Sequence, residues 1–459
     1  MPVPAGQRIL TSVKRRVPLA VRRTLRRYAR GRPRVMRPLL VRYARARPRP
    51  QDMAGAERRV VILLGSAWGM GGTIRAAHNL AGHLAQRNEV EILSAYRRRD
   101  EPFMGAFPPG VTVTALDDQR PGARPRWRER LVSLVRARGS VLVPVADVGY
   151  EGFSLWSDIQ LVRRLRRGTG VLIATRPGLN LLVARIDPPG FRTIGQEQMH
   201  LRAHNRRLRR AMQRDYGRLD ALAVLTRQDL EEYRALLGAR APRLAAIPNT
   251  VRAIAGERAD PEARTALAAG RLTPQKGFDL LIPAWAQVAA ARPDWKLAIC
   301  GRGERREQLA ALVDQHGLQE HVALEPAAQD LAQRMRAASI YVLSSRFEGF
   351  PLVLLEAMAA GMAVVAFDCP TGPGEVIDDH RNGLLVPCKD VDALAAAILE
   401  MIEDGELRRR CADAAVETAH DYTMEAIGPR WDALLDELRG GQSRSSGAIV
   451  RPASLSSSQ

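Results

Sequence analysis

The sequence has 459 residues, of which 46% are hydrophobic and 26% are charged, and its formal net charge is +21. A chain of this length can bury the cores of two or three domains. Residues 1–50 hold sixteen Lys or Arg and no Asp or Glu, which leaves only +5 on the other 409 residues. That mild excess does not indicate a nucleic-acid-binding face on the globular part. Four cysteines without a CxxC pair disfavour zinc and disulfides and indicate a reducing cytoplasm.

Residues 1–56 form an arginine-rich arm in which prolines interrupt the apolar stretches. No apolar run in the arm reaches the length of a signal-peptide core or a membrane span. The composition suits a peripheral tether to anionic lipid, because each basic residue near such a surface adds about 1 kcal/mol. A disordered basic tail, or a start codon assigned too far upstream, would give the same composition, so these interpretations stay open.

Residues 57–250 alternate strand and helix patterns. The apolar run 60–64 predicts a buried strand, Gly65 to Gly72 is a glycine-rich loop, and Thr73 is placed to cap the next helix. The loop fits GxGxxG poorly, so it does not predict a dinucleotide site. Because helical patterns such as 201–216 and 227–237 separate the strands, we expect a parallel sheet with helices on both faces. The further strands are predicted at 89–93, 111–114, 141–145, 171–175, 192–195, 221–225 and 244–247.

The loop from Gly195 to His200 is the first candidate for ligand contact. It follows a predicted strand and precedes a helical pattern, and ligands of such sheets bind beyond the carboxyl ends of the strands. Its polar side chains are therefore expected to face a cleft, and Glu197 and His200 are the candidate substrate contacts.

A second alternating region spans residues 265–423, after a polar linker at 251–264. Its first strand runs into a turn that carries Arg271 and Lys276 and opens a helix. Two cations at this position can neutralise the charge that develops on a diphosphate leaving group without a metal. Another glycine turn, at Gly301, follows a predicted strand at 296–300.

The stretch from Arg346 to Glu375 carries the strongest functional signal. A turn that contains Glu348 leads into a helix predicted at 352–360, and Glu356 lies about one turn into that helix. Helix N-termini attract anions through unpaired N–H groups. A phosphorylated sugar would thus meet two carboxylates for its hydroxyls and three backbone amides for its phosphates, those of Gly349, Phe350 and Leu352.

No metal or cofactor is expected. Asp390 and Asp392 spell a DxD triplet, but they open a helix, where acidic residues serve as caps. No other His, Cys or carboxylate cluster has the spacing of metal ligands. Residues 424–439 show the apolar stripe of a last helix, and the Gly/Ser-rich residues 440–459 are expected to be disordered.

Two of these stretches resemble the large retaining glycosyltransferase family four. The donor-site signature of that family is two glutamates with seven residues between them, which Glu348 and Glu356 match, and its diphosphate-binding turn resembles the turn with Arg271 and Lys276. The resemblance covers residues 60–438 and implies an α/β GT-B fold, in which two Rossmann-like, doubly wound parallel-sheet domains face a central cleft. It also implies that the last helix crosses back to the first domain.

The same resemblance implies roles for individual residues. Glu348 would face the hydroxyls of the transferred sugar, Glu356 would face the ribose, and Gly301 would lie near the nucleotide. The glycine-rich loop would lie at the interdomain cleft near the donor phosphates and the acceptor, through Gly71, Gly72 and Thr73. Related transferases often carry a histidine in the loop that corresponds to 195–200, and either Gln198 or His200 could be its counterpart.

The expected function is therefore a metal-independent, retaining transfer of a hexose from a nucleotide diphosphate sugar, with UDP as the expected nucleotide. The first half of the chain is most similar to bacterial enzymes that glycosylate cell-surface polymers such as teichoic acids, so a polymer, glycan or lipid acceptor is expected. A nucleotide-sugar epimerase of the same fold and an inactive sugar-nucleotide-binding scaffold are the alternatives. The expected location is the cytoplasm, at the inner face of the plasma membrane if the arm binds lipid.

Overall fold

A computed structural model describes residues 33–45, 58–251, 258–327 and 331–440, and these residues are built on two sheets. We call residues 58–251 the first domain and residues 258–420 the second domain. The first sheet has seven strands: β1 (Arg59–Leu64), β2 (Glu89–Ser94), β3 (Val111–Ala115), β4 (Gly170–Ala174), β5 (Phe191–Gln196), β6 (Ala221–Val224) and β7 (Arg243–Ala246). The second has six: β8 (Thr265–Ala269), β9 (Lys296–Cys300), β10 (Val322–Glu325), β11 (Ile340–Leu343), β12 (Ala363–Asp368) and β13 (Leu384–Pro387).

Fifteen α-helices are described, and most of them connect the strands. In the first half they are α1 (Pro33–Ala44), α2 (Gly72–Leu84), α3 (Arg126–Arg136), α4 (Leu155–Arg167), α5 (Pro177–Ile186), α6 (Arg206–Asp215) and α7 (Arg227–Leu237). In the second half they are α8 (Phe278–Ala291), α9 (Arg306–Gln315), α10 (Leu331–Arg336), α11 (Leu352–Ala359), α12 (Pro373–Val376), α13 (Val391–Glu403), α14 (Gly405–His420) and α15 (Met424–Arg439).

Both sheets are parallel and doubly wound. The first has the order β3-β2-β1-β4-β5-β6-β7 and the second the order β10-β9-β8-β11-β12-β13. In each, the chain starts at an interior strand, builds one side, and then crosses to the other side. Loops that follow the two strands at such a crossover meet beyond their carboxyl ends, which is where ligands of these sheets bind. The two-domain, doubly wound α/β fold expected from the sequence is confirmed.

The last helix, α15, belongs to the core of the first domain. Its side chains Ile427, Trp431 and Leu434 are buried in one apolar cluster with Val60 and Ile62 of β1. His83 of α2 also lies 3.1 Å from a carboxylate oxygen of Asp432 on α15. The chain therefore returns from the second domain to the first and links the two covalently and by packing.

The strand predicted at 141–145 is wrong, because the structure has a loop there. The buried carboxylate of Asp158 accepts the backbone N–H groups of Val141 and Leu142 at 2.7 and 3.2 Å, and the Ser140 hydroxyl at 2.7 Å. Amides held in this way cannot join a sheet ladder. Burial raises the pKa of Asp158 to about 6, while the same hydrogen bonds oppose that rise.

Two predicted helix starts also differ from the structure. The pattern 201–216 is divided into a 3₁₀ turn at Leu201–Ala203 and helix α6, because Asn205 caps α6 by accepting the N–H of Leu208 at 3.0 Å. Helix α2 begins at Gly72 with Gly71 as its N-cap, so Thr73 lies inside the helix and does not cap it.

Part of the basic arm is folded onto the first domain. Helix α1 packs against α4 and α5, with Ala44 fully buried, and Arg45 donates to the carbonyls of Arg185 and Ile186 at the end of α5. The rest of the arm, residues 252–257 of the predicted linker, and the predicted tail beyond Gly440 lie outside the described residues. Within the described part of the chain, no helix combines the length and apolarity that crossing a bilayer requires.

Candidate functional site

The two cations predicted for a diphosphate lie in the turn after β8. Lys276 is half-buried, and its Nζ donates to Oε1 of Glu348 at 2.6 Å. Arg271 is exposed, and its guanidinium donates to Oε1 of Gln275 at 3.2 Å. Glu348 follows β11, the neighbour of β8 at the crossover of the second sheet. The sheet order therefore brings together two residues that are 72 positions apart.

Glu348 is held from several sides. Only 5% of its surface is exposed, and Oε1 also accepts the hydroxyl of Ser345 at 2.5 Å. Its backbone N–H donates to the carbonyl of Pro370 at 3.0 Å, and its carbonyl accepts the hydroxyl of Thr371 at 3.0 Å. A buried carboxylate needs hydrogen-bond partners, and the Lys276 ammonium and the Ser345 hydroxyl supply them.

The turn between Arg271 and Phe278 is pressed onto the end of β11. Gly277 has φ of +64°, and a Cβ there would lie 1.9 Å from the carbonyl oxygen of Ser344, so only glycine fits. The guanidinium of Arg346, which follows β11, donates two hydrogen bonds of 2.8 Å to the carboxylate of Asp279, which follows the turn. This hydrogen-bonded pairing lowers the pKa of Asp279 below its usual value. Asp279 and Arg346 were not singled out from the sequence, although Asp279 directly follows this turn and Arg346 opens the turn that contains Glu348.

Gly301 lies where β9 meets β8. A Cβ on Gly301 would lie 2.0 Å from the carbonyl oxygen of Gly270, and one on Gly270 would lie 3.0 Å from the Lys276 side chain. These glycines let the loops after two neighbouring strands pass close to one another. Gly301 is thus in the same group of loops as Lys276, and its place near the nucleotide stays a prediction.

The amides predicted to hold phosphate stand at the start of α11. The N–H groups of Gly349 and Phe350 donate to no described group, whereas the N–H of Leu352 donates to the carbonyl of Phe350 at 2.9 Å. Two of the three predicted donors therefore have no partner among the described residues, and the third is engaged locally.

The first domain meets this region through its glycine-rich loop and α2. The guanidinium of Arg75 donates to the carboxylate of Glu356. A Cβ on Gly72 would lie 3.4 Å from Cδ1 of Leu352. Gly71 and Gly72 are exposed and Thr73 is half-buried beside them. The predicted loop therefore does face the start of α11, and Arg75 is a site residue that the sequence did not indicate.

The loop after β5 forms a second contact between the domains. A Cβ on Gly349 would lie 2.3 Å from the carbonyl oxygen of Gln198. The His200 ring packs on its edge against Phe347, with centroids 5.6 Å apart. Burial, with smaller contributions from His204 and Arg202, lowers the pKa of His200, and its Nε2 has no hydrogen-bond partner among the described residues. The side chain of Gln198 exchanges two hydrogen bonds with Asn249 of the first domain. Of the two candidate side chains in this loop, it is therefore that of His200 which contacts the second domain.

Glu197 does not face the cleft as predicted. It is 1% exposed, and its carboxylate accepts hydrogen bonds from Tyr216 and from Asn180, the latter at 2.9 Å. His204 lies 3.3 Å from its other oxygen. The Glu197 side chain therefore turns into the first domain, while the backbone carbonyl of Gln198 approaches Gly349 of the second.

Other features of the sequence have local structural roles. Asp390 accepts the N–H of Ala393 at 2.9 Å and so caps α13. Glu375 reaches the first domain and accepts the N–H groups of Arg227 and Gln228, both at 3.0 Å, at the start of α7. Within the part of the chain that the structure describes, no group of three or more His, Cys, Asp or Glu side chains is placed to hold a metal ion.

Comparison with known proteins identifies the second domain. Residues 252–418 match the family model described as Glycosyl transferases group 1. The chain therefore carries a glycosyl transferases group 1 domain on a GT-B fold, and its relatives include bacterial cell-surface glycosyltransferases.

Three similarities illustrate this placement. The chain is 35% identical over 378 residues to an exopolysaccharide phosphotransferase of Streptomyces coelicolor, covering 81% of this chain and 40% of that protein. It is 34% identical over 170 residues to the amylovoran biosynthesis glycosyltransferase AmsD of Erwinia amylovora, covering 37% of this chain and 47% of that protein. A crystal structure of a variant of S. aureus TarM with fondaparinux, α-GlcNAc-glycerol and UDP matches with a TM-score of 0.64 at 14% identity, over 83% of this chain and 100% of that chain. The chain spans less than half the length of these two sequence relatives.

Proposed function

We propose that the protein is a retaining glycosyltransferase that moves a hexose from a nucleotide diphosphate sugar, with UDP as the nucleotide, to a cell-envelope polymer, glycan or lipid. One observation carries the proposal. The half-buried Lys276 pairs with the buried Glu348 beyond the carboxyl ends of two neighbouring strands, near the exposed Arg271 and the amides of Gly349 and Phe350, which have no described partner. A leaving diphosphate needs such an arrangement of positive charge and N–H donors.

Each group has a distinct part in the proposed reaction. Arg271 and Lys276 neutralise the charge that develops on the departing diphosphate, so no metal is required. Glu348 accepts hydrogen bonds from hydroxyls of the transferred sugar. Glu356 accepts hydrogen bonds from the hydroxyls of the ribose. The acceptor approaches from the first domain, along the loop that holds Gly71 and Gly72. Attack occurs on the face from which the diphosphate leaves, so Glu348 is not a covalent nucleophile.

Two of the similar proteins support the donor and acceptor classes. One is a glycosyltransferase of amylovoran biosynthesis, and the TarM structure contains UDP together with α-GlcNAc-glycerol. We propose that the protein acts in the cytoplasm. Its attachment to the membrane through the basic arm remains a prediction, because most of the arm lies outside the described residues.

A donor screen tests the proposal. The full chain is incubated with UDP-, GDP- and ADP-hexoses, with and without lipid or polymer acceptors, and nucleotide release and the product anomer are measured. Acceptor-dependent release of UDP with an unchanged anomeric configuration is expected. Conversion of the sugar without nucleotide release would instead identify an epimerase. Tight nucleotide binding without turnover on any acceptor would identify a sugar-nucleotide-binding scaffold.

A further inference from the structure

Helix α3 of the first domain presents an exposed apolar row. Trp127, Leu131 and Leu134 are 60%, 59% and 70% exposed. Their spacing of four and three residues places all three on one face of the helix. Single exposed apolar residues are common, but an aligned row that includes a Trp marks a surface that contacts another molecule or a membrane. The acidic residue of this helix, Glu129, is paired with Arg124 and Arg136.

Helix α1 presents a second exposed apolar row. Its exposed large side chains are Met36, Leu39 and Tyr43, again spaced by three and four residues. Both α1 and α3 pack against α4, and α4 lies on the first sheet in one apolar cluster with Leu63 of β1. Both rows therefore lie on helices that pack against α4.

The surface between the two rows is positively charged. Arg42 of α1 and Arg163 and Arg167 of α4 are exposed, and the guanidinium of Arg166 lies 4.4 Å from the centre of the Tyr43 ring. Helix α1 has no Asp or Glu, and the single acidic residue of α4, Asp158, is buried. Exposed apolar side chains and arginines therefore lie together on α1 and α4, and neither of these two helices exposes an acidic side chain.

The chain's own termini do not complement this face. Residues 1–32 and 441–459 contain arginines and no Asp or Glu. Covering the surface with either of them would bring like charges together. Charge complementarity therefore favours an external, negatively charged occupant.

We propose that this face docks on an anionic lipid bilayer. The docking surface consists of Met36, Leu39, Tyr43, Trp127, Leu131 and Leu134, with Arg42, Arg163, Arg166 and Arg167 between them. Trp and Tyr favour the boundary between headgroups and acyl chains. Helices with apolar rows beside arginines lie in that boundary, and the arginines attract anionic headgroups. The docking surface belongs to folded helices, and it does not depend on the proposed transfer reaction.

Vesicle sedimentation of the full chain tests the proposal without any donor. Wild-type protein should bind vesicles of phosphatidylglycerol and phosphatidylcholine and should bind pure phosphatidylcholine much more weakly. Leu131→Glu combined with Leu134→Glu should weaken binding to the anionic vesicles roughly tenfold or more, because two inserted side chains become charged. Arg410→Glu on α14 is the matched control: it is exposed, lowers the net charge by the same two units, and should leave binding unchanged.

A second variant separates the arginines from the apolar rows. Arg163→Gln combined with Arg167→Gln should weaken binding to anionic vesicles and should leave the weak binding to neutral vesicles as it was. Equal binding by wild type and the Leu131/Leu134 variant would overturn the proposal. Tethering by residues 1–32 alone would give that result. Failure of wild-type protein to bind anionic vesicles, the outcome expected if the face contacts another protein, would also overturn it. Nucleotide release is measured separately, so failure of the docking surface leaves the proposed reaction standing.

Discussion

Arg75 of the first domain and Glu356 of the second form an ion pair, although 281 positions separate them in the chain. Arg75 lies one turn into the helix after the glycine-rich loop, and Glu356 lies in the helix that begins beside the candidate phosphate amides. The first domain therefore contributes a charge directly to the carboxylate that we propose for the ribose.

Removing either charge of this pair should weaken the contact between the domains. The side chains of Arg75 and Glu356 are 42% and 16% exposed, so Arg75→Gln and Glu356→Gln should each reduce the free energy of unfolding by about 0.5–1 kcal/mol. The double variant should lose little more than a single variant, because the second change removes a group whose partner is already gone. Denaturant unfolding of the four proteins measures this coupling. The exposed pair of Arg381 and Asp378 is the control, and fully additive losses at Arg75 and Glu356 would contradict the prediction.

Lys276→Ala should reduce kcat by roughly a hundredfold to a thousandfold. The ammonium is proposed to neutralise charge that appears only as the diphosphate departs, and removing one such group typically costs about 3–4 kcal/mol. Steady-state nucleotide release at saturating donor measures the effect. Lys296→Ala is the matched control, because that ammonium lies on the surface and donates to the carbonyl of Glu320 at 2.6 Å. An unchanged kcat in Lys276→Ala would remove the residue from the proposed mechanism.

Much of the fold could be predicted because its signals are local. The bounds of β9, α7 and α15 match the predicted ones. Each is an apolar run or stripe that ends at a glycine, a polar turn or a capping carboxylate. The segment 141–145 looks equally strand-like, but its amides bond to Asp158, which lies 16 and 17 positions from the two amides it holds. A pattern of neighbouring residues contains no information about such a distant acceptor.

The contacts of the candidate site could be predicted from the sequence only where both residues belong to the same domain. Lys276 and Glu348 meet because β8 and β11 are neighbours in one sheet, and family resemblance had already indicated both residues. Arg75 was missed because its position opposite Glu356 depends on how the two domains face one another. The burial of Glu197 was missed for a related reason. The sequence shows that the loop is polar, but it does not show which of its side chains is buried in the first domain.

Gly349→Ala should separate the domains at the loop after β5. A methyl group there would lie 2.3 Å from the carbonyl oxygen of Gln198, and backbone cannot yield as a flexible side chain can. We expect weaker donor binding together with a more open arrangement of the domains, which X-ray scattering in solution would detect. Gly405→Ala is the control, because its added methyl group would meet only the ends of arginine side chains at 3.5 Å or more. Wild-type donor affinity in Gly349→Ala would show that the close approach is not needed for binding.

His200 should make the contact between the domains sensitive to acid. Its pKa is lowered by burial first, and then by His204 and Arg202, so the folded protein favours the neutral ring. A depressed pKa means that the stabilisation is present above the ordinary value of 6.5 and is lost as the pH falls through the lowered value. Protonation would place an unpaired charge against Phe347, since Nε2 has no described partner.

The expected result is a kcat/KM for the donor that stays constant above about pH 6.5 and falls below it. His200→Phe keeps an aromatic ring against Phe347 but cannot be protonated, so the acid limb should be shallower in this variant. His316→Gln, at an exposed histidine of the second domain, should retain the wild-type profile. Rates measured from about pH 5 to pH 8 check this, with circular dichroism at each pH to confirm that the protein stays folded. An identical acid limb in His200→Phe would assign the pH dependence to another group.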